Sequence, residues 1–557
     1  MAPRRVARWI AFTLAACSTA AHAGEISAQA SGIYADWSGL YVGAHFGGAL
    51  ALTKIDDPFG PSIYGDTVRT MGQIGGGQVG YNWQFGRTVL GVEAEASWAN
   101  AYGTDTCFAF SGNYISANCG VDINAMGSFT GRAGWLIDND GRTLLYGKAG
   151  LAWQNASVTS ATSGGTALPS TSTTDYLWGL ALGVGAERML GERWSVRAEY
   201  DYRHFSDGGM QTPVGIFQPV PSPDPNAVVQ VPSRAADFSQ QTHLIKFGLN
   251  YRFGEAQQQT RSVAAPAFSP PGIPGVRIEI GARYVYGWGR FQKDLGDVLG
   301  VSSPASRLTY GGMKTNGAEL LGRVDLANGI VAKGFIGWGD GTGSLYDEDW
   351  AIPVAVFAPY SNTWSKVDDR ISYGTVDVGY NVWRDDGSRV TPFVGYGHFH
   401  QQMAARGCVQ VANPQAVCRN PFPLSILGIT EDDTWQVLRV GVAADMEILP
   451  AVTLSLDAAY LPFVRFNGTD NHVRRSLISP EWGGGTGTQI DLMLNYAVTE
   501  QFSVGVGGRY WSMWARDGRA NFGGGGDIVP IRHAVEQAAF LAQGSYAFDW
   551  SGPSTLD

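Results

Sequence analysis

The chain alternates apolar with polar or small residues, one by one, through long stretches. After its first 25 residues it never approaches the ~18 consecutive apolar residues of a membrane helix. Val79, Tyr81, Trp83 and Phe85 share one face, with Gln78, Gly80, Asn82 and Gln84 on the other. Leu90, Val92, Ala94, Ala96 and Trp98 likewise alternate with Gly91, Glu93, Glu95 and Ser97, and Val196, Ala198, Tyr200 and Tyr202 with Arg197, Glu199, Asp201 and Arg203. A half-buried soluble sheet also alternates. Here the polar face is dense in charges of both signs, and the apolar face keeps aromatics at the strand ends, which places lipid on one side and a polar lumen on the other. Unpaired backbone groups cannot face hydrocarbon, so such strands must close into a barrel.

Composition agrees with that reading. Glycine is 75 of 557 residues, roughly 13% against a usual ~7%, and charged residues are only 16%. The formal net charge of −10 and the lack of a basic stripe argue against a nucleic-acid partner. Arg4, Arg5 and Arg8, an apolar run over residues 9 to 16, and Ala21-His22-Ala23 form an export signal over residues 1–23, with the mature chain starting at Gly24. A competing reading is a lipoprotein signal, because Leu14-Ala15-Ala16 precedes Cys17. The other cysteines form two close pairs, Cys107 with Cys119 and Cys408 with Cys418. Loop-stapling disulfides of an oxidising compartment fit better than metal sites, since neither pair has a nearby histidine or a two-residue ligand spacing.

Residues 37 to 253 hold eight alternating segments. Long gaps near residues 52–72, 100–122, 156–175 and 205–241 interleave with short turns at 86–87, 138–141 and 190–193, the asymmetry of outer-membrane barrels. Trp37-Ser38-Gly39-Leu40-Tyr41-Val42-Gly43, Gly77-Gln78-Val79-Gly80-Tyr81-Asn82-Trp83 and the closing Asn250-Tyr251-Arg252-Phe253 resemble the small eight-stranded OmpA-like porin-family barrels. Eight strands leave a lumen that side chains fill, so Glu93, Glu95, Arg132 and Lys148 are expected to neutralise one another. Residues 24–254 are thus expected as the first barrel. Polar and Pro-rich residues 255–275 follow as a semi-extended linker. Even strand counts return the chain to its starting side, which makes that linker periplasmic and puts both barrels in one membrane.

Over residues 276–557 the alternation predicts ten strands, starting near Arg277, Leu308, Ile330, Ile371, Val390, Thr434, Val452, Gln489, Phe502 and Ala534. The fold class is therefore all-β, with two tandem transmembrane antiparallel barrels of eight and ten strands. One eighteen-stranded pore is the competing arrangement, disfavoured by the Pro-rich break and by closing signals at both Phe253 and Phe548.

Two acidic strings stand out in the second half. Asp347-Glu348-Asp349-Trp350 falls in its second outer loop, and Asp470-Asn471-His472 falls in its fourth, at the top of the strand from Val452. Strand parity places both at one rim, on opposite sides of the mouth. Residues two apart on an extended segment point the same way, so each string can present both its groups. Hydrolysis of a peptide by water needs a base near neutral pKa, which His472 supplies, with Asp470 to orient it and stabilise its imidazolium. A crowded carboxylate pair, Asp347 and Asp349, can hold the water and later release a shared proton to the leaving amine.

With Ser306-Arg307-Leu308-Thr309-Tyr310 and Lys333-Gly334-Phe335-Ile336-Gly337-Trp338, these strings resemble the omptin family of ten-stranded outer-membrane endopeptidases. The resemblance implies Asp347, Asp349, Asp470 and His472 as catalytic residues, exposed polypeptides as substrates, and no cofactor or metal, with lipopolysaccharide as candidate activator. It also implies a cell-surface location in the outer membrane of a Gram-negative bacterium, the rim facing outside. Omptins cut beside basic residues using acidic groups low in the cleft, one of them two positions before the Asp of the Asp-x-His string. Gly468 stands there, and Gln292 and Lys293 occupy the matching part of the first strand, so basic specificity does not carry over. The alternative to a peptidase is a non-enzymatic surface barrel, porin-like or structural, with an inactive second half.

Overall fold

Period-two alternation is realised as long antiparallel strands that rise from short turns at a lower end to wider connections at an upper end. A computed structural model of the chain describes residues 35–550 apart from 61, 111–114, 139, 163–169, 218–228, 254–275, 297–303, 351–359, 386–387, 413–417 and 419. The expected export signal, Cys17 and the linker lie outside the described residues. The first sheet runs β1 (Gly39–Ile55), β2 (Thr67–Phe85), β3 (Thr88–Phe110), β4 (Ile115–Leu136), β5 (Thr143–Thr162), β6 (Ser170–Met189), β7 (Trp194–Gln211) and β8 (Ala235–Phe253). The second runs β9 (Val276–Leu295), β10 (Ser306–Asp325), β11 (Ile330–Asp349), β12 (Ser361–Tyr380), β13 (Ser388–Ala412), β14 (Phe422–Leu449), β15 (Val452–His472), β16 (Leu477–Ala497), β17 (Phe502–Phe522) and β18 (Asp527–Trp550).

β1 pairs with both β2 and β8, and β9 with both β10 and β18, so each sheet closes on itself. Two separate cylinders result, and not one of eighteen strands. Both begin and end at the lower end, where tight turns return the chain; Gly329, with φ of 89°, supplies the left-handed residue of one of them. Their outer faces carry the apolar band. Ile336 and Trp338 on β11 and Val376, Val378 and Tyr380 on β12 are exposed. The band ends above Trp338, where outward Asp340 and Arg370 pair at 3.1 Å.

Charge cancellation fills the first lumen. Lys148 Nζ lies 2.6 Å from Glu199 and 3.1 Å from Asp201, and Lys246 Nζ lies 2.7 Å from each of the same two carboxylates. Arg197 pairs with Glu93 and Arg203 with Glu95. The second lumen is crossed by an aromatic plate in which Trp511 packs against Phe335, Tyr373 and Phe399, with Arg509 4.1 Å over the Phe335 ring. This plate separates the lower lumen from the upper mouth.

The cylinders touch along their height. Phe247 of the first packs with Leu456, Ala458 and Ile490 of the second within the apolar band. Higher up, Arg69 forks onto Glu536 at 2.9 to 3.1 Å.

Two sequence expectations need correction. Four of the five falling strands of the second barrel start at Ser361, Phe422, Leu477 and Asp527, 7 to 12 residues before the predicted Ile371, Thr434, Gln489 and Ala534, and the long gaps of the first barrel shrink in the same way. Above the apolar band neither face meets lipid, so the lipid–lumen alternation lapses while the ladder continues. Asp347 and Asp349 are accordingly not loop residues but the last rungs of β11, and Asp470 and His472 are likewise the last rungs of β15. The structure joins Cys107 to Cys119 and Cys408 to Cys418.

Val376, outward and 58% exposed, pairs with Gly334 near the middle of the apolar band. Val376→Arg is expected to cost about 2 to 4 kcal/mol in denaturant unfolding from lipid vesicles, whereas Asp340→Ala above the band stays within about 0.5 kcal/mol.

Candidate functional site

The ladder carries chemistry to the upper end of the second barrel. On β11 the inward face that holds Phe335 ends in Leu345, Asp347 and Asp349; on β15 the inward face that holds Phe466 ends in Asp470 and His472. Register aligns Lys293, Leu308 and Asp347 across β9, β10 and β11, and Glu431, Asp470 and Ser479 across β14, β15 and β16. Asp347 and Asp349 lie seven to nine residues above the Asp340 exit from the band. At ~3.3 Å per residue along a tilted strand, that is roughly 17 to 22 Å beyond the apolar region.

Asp470 is the hub. Its Oδ2 lies 3.3 Å from His472 Nε2 and 2.9 Å from Lys293 Nζ, while its buried Oδ1 has no hydrogen-bond partner. Burial alone would raise its carboxyl, but Lys293 and His472 outweigh burial and hold it below the usual carboxylate range. Burial works to lower the His472 ring, and Asp470, reinforced by Asp347, raises it above its ordinary 6.5. With Nε2 turned to Asp470, Nδ1 remains to take a proton.

Asp347 and Asp349 stand within electrostatic reach of His472 and Arg475. Burial raises Asp347, partly offset by His472 and Arg475, and its Oδ1 has no hydrogen-bond partner. Asp349 is pushed up to about 8 by burial and by repulsion from Asp347, with Ser306 donating to it. Two crowded carboxyls of this kind hold one proton between them at neutral pH. All four residues singled out in the sequence therefore converge.

The sequence reading missed the floor of the mouth. Lys293 Nζ sits among Glu431 at 2.9 Å, Glu481 at 3.0 Å and Asp470 at 2.9 Å, and His533 Nε2 meets Glu481 at 2.8 Å. Asp433 is fully buried with neither oxygen paired, and burial pushes its carboxyl well above the usual range. Its carboxylate fills the space a side chain at Gly468 would take, since a Cβ there would overlap Asp433 Oδ1. The run Glu431-Asp432-Asp433 was a visible signal once β14 is extended upward to Phe422. Among the described residues, a carboxylate grouping close enough to hold a metal ion occurs at Glu93, Glu95 and Glu199 in the first lumen, where Lys148 and Lys246 already neutralise it.

The raised His472 ring stabilises the fold fully below its unfolded value of 6.5, and this contribution is lost as pH rises through the folded value. The depressed Asp470 carboxyl contributes above its unfolded value of 3.8, and its contribution is lost as pH falls through the folded one. Following the His472 ring by NMR titration, we expect a midpoint above 6.5 in the native protein and a lower one in Asp470→Asn. An unchanged midpoint in the variant would mean that Asp470 does not govern the ring.

Residues 10–253 match the family described as the outer membrane protein beta-barrel domain. The 22 kDa outer membrane protein of Rhizobium leguminosarum bv. viciae is 31% identical over 185 residues, 32% of this chain and 70% of that protein. The 31 kDa outer-membrane immunogenic protein of Brucella melitensis biotype 1 is 26% identical over 232 residues, 39% of this chain and 84% of that protein. Among solved structures, the outer membrane protease OmpT from Escherichia coli aligns with a TM-score of 0.40 at 15% identity, over 50% of this chain and 98% of that one.

Proposed function

For this chain, which belongs to the outer membrane protein beta-barrel domain family and is an outer-membrane β-barrel protein, we propose that the second barrel is an omptin-like endopeptidase of the cell surface. The observation that carries the reading is the Asp470–His472 pair at 3.3 Å facing the half-buried Asp347 and Asp349. In the proposed reaction His472 Nδ1 takes a proton from water, and the hydroxide adds to the scissile carbonyl. Asp470 stabilises the imidazolium. The tetrahedral intermediate collapses as the amine leaves with the proton shared by Asp347 and Asp349, and His472 then returns its proton to that pair. Orphaned Oδ1 atoms on Asp347 and Asp470 supply acceptors for the water.

The acidic floor that could hold a basic substrate side chain is already occupied by Lys293. Cleavage beside uncharged residues is therefore favoured over cleavage beside Lys or Arg.

A second reading, a non-enzymatic surface barrel, is favoured by the same Lys293, which lies closer to Asp470 Oδ2 than His472 does. It also agrees with relatives named only as outer-membrane proteins.

Refolded protein incubated with a peptide library separates the two. Under the peptidase reading His472→Ala and Asp347→Asn each lower kcat/KM by about 10² to 10⁴-fold, and cut sites show no enrichment of Lys or Arg. Equal turnover in the native protein and in both variants, or none in any of them, would leave the surface-barrel reading standing.

A further inference from the structure

By the alternation that turns Asp347 and Asp349 inward, β11 turns Tyr346 and Glu348 outward. A carboxylate on the outer face of a rim ordinarily meets solvent, yet Glu348 is completely buried, and the first barrel lies against it. Thr106 Oγ1 donates to Glu348 Oε1 at 2.7 Å, beside the Tyr360 hydroxyl at 2.6 Å. Tyr64 stacks on Tyr346 with ring centroids 4.4 Å apart.

One strand over, Arg307 of β10 is clamped between the barrels. It holds Asp294 through Nε at 2.7 Å and Nη2 at 2.9 Å, and donates to Thr106 Oγ1 at 3.0 Å and Asn118 Oδ1 at 2.6 Å. Thr104 Oγ1 donates to Asp294 at 2.5 Å, and Arg290 pairs with Asp105 at 2.9 Å. Thr106 and Asn118 face each other across the β3–β4 ladder, and the Cys107–Cys119 disulfide staples the strands beside them.

Ladder hydrogen bonds lie in the plane of a sheet, so β10 and β12 hold the end of β11 sideways. Its displacement into or out of the mouth is set by what packs on its faces. A shift of about 1 Å there is of the size that costs a hydrolase ~10²-fold.

We propose that the upper tip of the first barrel is an intramolecular brace that seats the end of β11 and so aims Asp347 and Asp349. Thr106, Tyr64 and Arg307 are then positioning residues for the second barrel's site, and the two barrels form one functional unit. The brace itself is structural; its effect on turnover rests on the peptidase reading.

The test uses the full chain with Thr106→Val, Thr106→Ser and the double variant Thr106→Val/Tyr64→Ala. Amide hydrogen exchange over residues 344–350 should rise about tenfold in Thr106→Val, the worth of the charge-assisted hydrogen bond that Thr106 makes to this segment at Glu348, and further in the double variant. Thr106→Ser restores native protection, and residues 370–380 exchange as in the native protein throughout. Where peptide cleavage is measurable, kcat falls with KM unchanged and Thr106→Ser rescues it. Unchanged exchange over 344–350 in the double variant overturns the brace. If that variant loses protection everywhere, Asn118→Ala decides: faster exchange confined to 344–350 supports the brace and unchanged exchange overturns it. A native protein that cuts no peptide removes the peptidase reading, while the exchange result still judges the brace.

Discussion

Every backbone N–H and C=O that enters hydrocarbon needs a partner inside the protein, and the rest of this molecule follows from that demand. Closure of β1 onto β8 and of β9 onto β18 meets it twice. Closed ladders fix an inward and an outward side for every residue. They also keep running above the apolar band, because the ladder that pairs Ile336 with Leu320 continues without lipid, past a bulge between Gly311 and Lys314, to Asp349 against Ser306. The mouth of the second barrel is thus made of strand ends, held sideways by the same ladders as the membrane wall beneath it.

Those ladders let opposed charges be stored where water would otherwise screen them. Lys293 and His472 share one oxygen of Asp470, and Asp347 and Asp349 crowd together across the mouth. Buried ions of this kind contribute little net stability when paired and cost several kcal/mol when one partner is removed. Lys293 cuts both ways, neutralising an acidic floor and competing with His472 for its carboxylate. The first barrel, by contrast, has a lumen filled with paired charges, and its contribution lies on its outer surface at Tyr64 and Thr106.

Much of this was legible in the residues. Alternation such as Val79, Tyr81, Trp83 and Phe85 identified membrane strands because lipid imposes one polarity on every outward position. The Asp347/Asp349 and Asp470/His472 strings were readable because spacing by two on a strand is a statement about direction. Illegible were the upper extensions at Ser361, Phe422, Leu477 and Asp527, where no lipid enforces a pattern. Glu431, Asp433 and Glu481 went unnoticed with them, since a cluster assembled from neighbouring strands depends on register, which sequence alone does not give. The contact of Thr106 with Glu348 spans the two barrels and has no local signature at all.

The central claim is that a His472–Asp470 base works against an Asp347–Asp349 proton store, and the pH profile of kcat/KM for peptide cleavage tests it most directly. His472 must be neutral to act, so the rate should rise with pH through a midpoint above 6.5; the shared carboxyl proton must be present, so it should fall again as pH passes about 8. A bell with both limbs, losing its falling limb in Asp349→Asn, is the predicted result. A profile that rises to a plateau without falling, or no cleavage at any pH, would contradict it.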